Sequence, residues 1–262
     1  MKGLNDMEEK QTNYTIAEGY ELPSKGLIYD KEVNSHVELR SMTARDEMKR
    51  LNHSTAPYKT LADIIEGCML EKPAIHVYDM ALADYEYLLH KLRVVTYGEE
   101  YKTELTCPYC QEPIIATMHL DQLETKEFDL DEFKNNLTFT LPACGKVVSI
   151  RVQTPHILDE IDSRARELRR KMKGADVDFE TLVTLILAIE SVDGIHMDTS
   201  NAENFVNKLS ARDMYKILNQ ISKVNASMGL ITNDVHVDCP KCGGDIQTFF
   251  QFGPEFFRPT DV

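Results

Sequence analysis

The chain has 262 residues, enough for one substantial core or two smaller ones of about 100–130 residues each. With 42% hydrophobic and 27% charged residues it reads as a globular protein, and its formal net charge of −14 excludes broad electrostatic binding to duplex DNA. No stretch approaches the roughly 18 uninterrupted apolar residues of a membrane helix, and Met1 to Asn13 has no signal-peptide core, so a reducing cytosol is expected.

After a polar segment over 1–20, a first α+β unit is expected over 21–120. Leu22-Pro23-Ser24-Lys25-Gly26 opens a β-hairpin, whose second strand alternates apolar and polar residues through Leu39-Arg40. Thr43 is placed to cap a first helix, and a second follows around Leu61 to Met69. Cys68, within that apolar run, reads as a small core residue. A third helix carries Tyr85, Leu88, Leu89 and Leu92 at core spacing. Two strands then flank Cys107-Pro108-Tyr109-Cys110.

Residues 121–136 hold Asp121, Glu124, Glu127, Asp129, Asp131 and Glu132 and read as a solvated acidic connector. A second α+β unit is expected over 137–252. Leu141-Pro142-Ala143-Cys144-Gly145 again leads to an alternating strand, and Thr154-Pro155 opens a helix whose apolar stripe is Ile157, Ile161, Leu168 and Met172. Arg164, Arg166, Arg169, Arg170, Lys171 and Lys173 spread over more than one face of that helix; a solvated surface is favoured over an acidic-protein or nucleic-acid contact. A helix over Phe179 to Ser191 follows, then one with Met214, Ile217, Leu218 and Ile221, where Ser210 and Asp213 resemble a capping box. Strands flank Cys239-Pro240-Lys241-Cys242, and the aromatic tail over 253–262 is suited both to packing on the preceding hairpin and to docking on a partner.

These units match in order: the Leu-Pro-x-x-Gly turns, Val37 to Thr43 with Val148 to Thr154, Thr60 to Ile65 with Thr181 to Ile186, Ile75-His76-Val77 with Ile195-His196-Met197, and Asp84 to Val95 with Asp213 to Val224. A Cys-Pro-x-Cys follows each time. The reading is therefore an internal duplication, two similar α+β halves joined by one shared four-cysteine zinc ribbon.

Cys107, Cys110, Cys239 and Cys242 supply the four soft ligands that tetrahedral zinc prefers. Gly243-Gly244 lets the second knuckle turn close to the metal; the first has Gln111 there, which a longer turn would accommodate. Cys-Pro-Tyr-Cys is also a glutaredoxin string, but a redox thiol needs a helix N-terminus and these knuckles sit at hairpin tips. His119 and His236 lie on the ribbon strands as rival ligands, read as surface residues, and Cys144 has no partner at metal spacing. No phosphate loop, GxSxG or HExxH is present, and a closed thiolate shell leaves no coordination position for a substrate.

Leu22 to Gly26 with Tyr29, Val37 to Thr43, Leu92-Arg93 to Tyr97-Gly98, Cys107 to Cys110 and the terminal Phe256-Phe257-Arg258-Pro259 together resemble the baseplate-hub and tail-assembly proteins of T-even-like contractile-tailed bacteriophages. The resemblance implies a non-enzymatic protein of the baseplate hub, present in host cytoplasm during assembly and either a permanent subunit of the virion tail or an assembly factor that leaves, with other baseplate proteins as partners and no membrane or small-molecule substrate. A zinc-ribbon nucleic-acid-binding protein is the rival binding reading, opposed by the charge. A CxxC thiol oxidoreductase is the rival enzyme.

Overall fold

The structure, a computed structural model, describes residues 16–174, 176–232, 234–250 and 254–257. Met1 to Asn13, Arg258 and Pro259, singled out in the sequence, lie outside the described residues. Strands β1 (Ala17–Glu21) and β2 (His36–Arg40) pair antiparallel with Tyr20 opposite Val37, and the alternation sends Val37 and Leu39 inward. Helix α1 (Ala44–Leu51) starts from a complete capping box: Thr43 Oγ1 accepts from the Asp46 NH, and the Asp46 carboxylate accepts from the Thr43 NH. Helix α2 (Pro57–Cys68) and a 3-10 turn at Val77–Asp79 lead to α3 (Leu82–Tyr97), which buries Tyr85, Leu88, Leu89 and Leu92. Strands β3 (Glu100–Thr106) and β4 (Pro113–His119) form the first knuckle hairpin, with Ile114, Ala116 and Met118 facing the core.

The acidic stretch that follows is more than a solvated connector. Asp129 accepts from the Asp131 and Glu132 NH groups to cap α4 (Leu130–Asn136), and Phe128 and Phe133 are buried 5.7 Å apart. Strands β5 (Thr138–Thr140) and β6 (Val147–Ile150) precede α5 (Pro155–Lys171) and α6 (Phe179–Ala188). Helix α6 stops short of Ser191 because Ile189 onward becomes β7 (Ile189–Val192), which Asp193-Gly194, both at positive φ (51° and 77°), turns into β8 (Ile195–His196). These strands make one antiparallel sheet, β5-β6-β7-β8. Then come α7 (Thr199–Val206), α8 (Ala211–Asn225) and the second knuckle hairpin, β9 (Val235–Asp238) and β10 (Asp245–Thr248). Met172, expected on the apolar stripe of α5, lies just past the helix end and is exposed.

Three contacts recur in the first and second halves. The Ser24 NH donates to Asp84 at 3.0 Å, and the Ala143 and Cys144 NH groups donate to Asp213 at 2.8 and 3.2 Å. Each carboxylate thus leaves its own helix to hold the Leu-Pro-x-x-Gly turn. Asp213 therefore closes no capping box, although Ser210 Oγ does accept from its NH at 3.1 Å. Arg40 reaches the Gly67 carbonyl at 2.7 Å, as Arg151 reaches that of Leu187 at 2.9 Å. Leu39 bridges to Met69 directly after α2, and Ile150 pairs with Ile189 directly after α6.

Among the described residues, buried apolar side chains fall into two large clusters and one small one. The first gathers Leu22, Leu39, Ile65, the inner face of α3 and that of β4; it also takes in Val235, Val237, Ile246, Phe250, Phe256 and Phe257. The second knuckle hairpin, which ends the second unit in sequence, therefore packs into the core of the first. The second cluster joins Phe133, Val148, Ile189, Ile217 and Ile221. Between the two, Asp159 on α5 accepts from the Lys59 NH at 2.9 Å and the Tyr78 hydroxyl at 3.1 Å. It caps α2, whose own N-cap residue is Ala56.

The basic cluster on α5 is largely neutralised within the molecule. Arg164 pairs with Glu160, Arg166 with Asp162, Lys171 with Glu167 and Arg169 with Glu180. Of the C-terminal phenylalanines, Phe250, Phe256 and Phe257 are buried, whereas Phe249 is exposed. Arg93, wholly buried, donates to the carbonyls of Phe256, Gly98 and Glu100, so its charge is met by three backbone dipoles.

Candidate metal centre

The two knuckles, 129 residues apart in sequence between Cys110 and Cys239, meet at the tips of their hairpins. The four sulfurs lie within 4.8 Å of one another, with Cys107 Sγ 3.7 Å from Cys242 Sγ and Cys110 Sγ 3.9 Å from Cys239 Sγ. A tetrahedral ion with metal–sulfur bonds of about 2.3 Å requires sulfurs about 3.8 Å apart. The donor set fits zinc in number, softness and spacing. Cys107 and Cys239 are buried, Cys110 is half-buried and Cys242 is exposed.

Both turns are built alike. The Gln111 NH donates to the Cys107 carbonyl at 2.9 Å, as the Gly243 NH does to that of Cys239 at 2.8 Å. Across each base, the Cys107 NH donates to Glu112 and the Cys239 NH to Gly244. No longer turn is needed at Gln111, which itself takes the left-handed conformation (φ 59°) that Gly243 takes at 69°. Its side chain donates back to the Pro108 carbonyl at 2.9 Å, holding the turn.

The turn lowers one of the thiols, whereas Cys242, despite the Gly244 NH, is pushed up to about 12 by its contact with Cys239 and by desolvation. The Cys242 NH, and then that of Lys241, pull Cys239 down to about 7 against the opposing effect of burial, favouring the thiolate a metal binds. Contacts across the two hairpins add to the sulfurs: Lys241 Nζ lies 2.9 Å from Glu112, and the Tyr109 hydroxyl donates to the Asp245 carbonyl at 2.9 Å. Gly244 gives the Tyr109 ring room, since a Cβ there would stand 2.5 Å from it. Sequence reasoning missed Tyr109, Glu112, Lys241 and Asp245, because nothing local marks a pairing between such distant segments.

The family model described as T4 bacteriophage base plate protein matches residues 19–258. The chain belongs to that family. No curated protein and no solved structure matches it. As a T4-type base plate protein it falls among phage structural proteins whose partners are other tail proteins. Among the described residues no helix is long and apolar enough to cross a membrane.

Within this base plate protein the other candidates stand apart from the sulfurs. His119 is exposed, and His236 pairs with Asp245 and Asp234, which raise its pKa. Cys68 is buried, its thiol pushed up to about 11 chiefly by burial, and Cys144 is exposed in its turn. Strands, not a helix, flank both knuckles, so the helix N-terminus that activates a redox thiol is missing from this site.

Proposed function

We propose that this base plate protein is a non-enzymatic structural or assembly subunit of the baseplate hub, in which one zinc ion held by Cys107, Cys110, Cys239 and Cys242 clamps two duplicated halves. The family match supports the baseplate role, and the sequence resemblance to hub proteins supports that place within it. The sulfur spacing supports the ion. Four thiolates complete a tetrahedral shell, so the metal is structural and presents no open position to a substrate.

The recurring contacts of Asp84 and Asp213, Arg40 and Arg151, and Leu39 and Ile150 support duplication, since each pair occupies matched positions. One sequence match lacks a structural counterpart: Ile75 to Val77 leads into a 3-10 turn, and Ile195-His196 is a strand. The clamp would fix the surfaces offered to neighbouring baseplate proteins in the host cytoplasm and then in the virion tail. Tagged protein from infected cells should sediment with baseplate intermediates and with hub proteins among them. Recovery only with host replication or transcription complexes would refute the assignment.

A further inference from the structure

Between α2, α3 and the C-terminal 3-10 turn at Pro254–Phe257 lies a groove of about 450 Å³ with no knuckle residue in its lining. Tyr58, Leu61, Leu89 and Phe257 form apolar walls. Glu86 lines the groove from α3, half-buried, and among the described residues no hydrogen-bond donor or cation meets its carboxylate. Burial alone pushes its pKa up to about 7. A half-buried carboxylate without a donor leaves a charge in the groove that a partner's cation would pair.

The neighbouring cations do not complete it. Arg50 forks onto Glu47 at 2.8 and 2.5 Å and stands over the Phe257 ring at 5.9 Å; His53 lines the groove from an exposed position. Apolar surface continues outward from the groove along α1, where Leu51 and Met48 are 67% and 64% exposed. A planar guanidinium matches these features: it forks onto a carboxylate and stacks on an aromatic face such as that of half-buried Tyr58.

We propose that this groove receives an arginine side chain of a partner protein, flanked by apolar residues that cover Leu51 and Met48, with Glu86 as the receiving carboxylate. The inference deepens the interaction role proposed above and rests on it only in taking the occupant to be another protein. The test uses the full-length, zinc-loaded chain and N-acetyl-phenylalanyl-arginine amide, with the citrulline analogue as the uncharged control, followed by amide NMR shifts of Thr60, Leu61, Glu86 and Leu89.

The arginine probe should give saturable shifts, the citrulline analogue should bind at least about tenfold more weakly, and Glu86→Gln should abolish the difference. Unchanged zinc content and amide spectrum outside the groove show that the variant folds. Equal binding of the two probes, or no binding, overturns the proposal. Binding seen only after Arg258→Ala overturns it too, because the occupant is then the chain's own arginine. None of the residues lining the groove belongs to either knuckle, so these outcomes are read separately from the zinc count and from sedimentation with baseplates.

Discussion

Gly26 and Gly145 take the same left-handed conformation at matched points of their turns, φ 72° and 71°, yet a side chain would meet different surroundings. A Cβ at Gly26 would stand 2.2 Å from the Val33 carbonyl oxygen, while at Gly145 nothing lies within 4 Å. Gly145→Ala should cost about 1–2 kcal/mol of left-handed strain, and Gly26→Ala clearly more because backbone must move. Urea unfolding of the two variants checks that order. The matched carboxylates diverge as well. Burial raises both, but for Asp213 the Ala143 NH, Ser210 and Cys144 outweigh it, whereas Ser24 and Tyr29 only partly offset it at Asp84. Asp213 therefore contributes stability above the ordinary carboxylate range that is lost as pH falls through its lowered value. Asp84 and Glu86, both raised, contribute stability below that range that is lost as pH rises through their folded values. For Glu86 the window runs from about 4.3, the unperturbed glutamate value, to about 7. Glu86→Gln should raise Tm at pH 8 and leave it nearly unchanged at pH 4; equal melting of the two proteins at pH 8 would contradict the unpaired carboxylate.

At the scale of elements, α2 depends on a cap lent by α5. Asp159→Ala should cost about 0.5–2 kcal/mol and speed amide exchange over the first turn of α2 while leaving α6 protected. Unchanged exchange at Tyr58 and Lys59 would show that the cap is immaterial. The C-terminal 3-10 turn is held by packing: Phe256 is buried, 5.8 Å from the Tyr101 ring and 5.2 Å from that of Phe250. Phe256→Ala should cost about 3–5 kcal/mol, read by urea unfolding. The residues show which of these elements could be foreseen. Helix α3 was legible because Tyr85, Leu88, Leu89 and Leu92 repeat at helical spacing, and the knuckle hairpins because Cys-Pro-x-Cys sits between β-branched runs. Helix α4 was hidden, since Leu130 and Phe133 among polar side chains set no period over seven residues. The end of α6 was misplaced because its apolar run continues unbroken into β7, although Asp193-Gly194 marked a hairpin. Contacts such as Asp159 on α2 or Arg93 on Phe256 have no local sequence signature; they exist only once distant elements meet.

For the molecule as a whole, the knuckles carry the connection between chain order and architecture. The sequence made four convergent cysteines legible from their spacing, but not that β9 and β10 return to the first core, because strand periodicity names a buried face and not the core that buries it. If zinc holds the sulfurs, it closes the chain from Cys110 to Cys239, and its removal should loosen β9 and β10 from the first core before α3 or the second core opens. Chelation followed by hydrogen exchange should then show early loss of protection at Val235 to Asp238 and retained protection in α3 and α8. The most direct test is the metal content of the purified full chain, measured together with Cys107→Ser and Cys239→Ser. One zinc per chain, lost in either variant, is the expected result; two zinc ions per chain, or zinc retained when only one knuckle is broken, would contradict a single site shared by both hairpins.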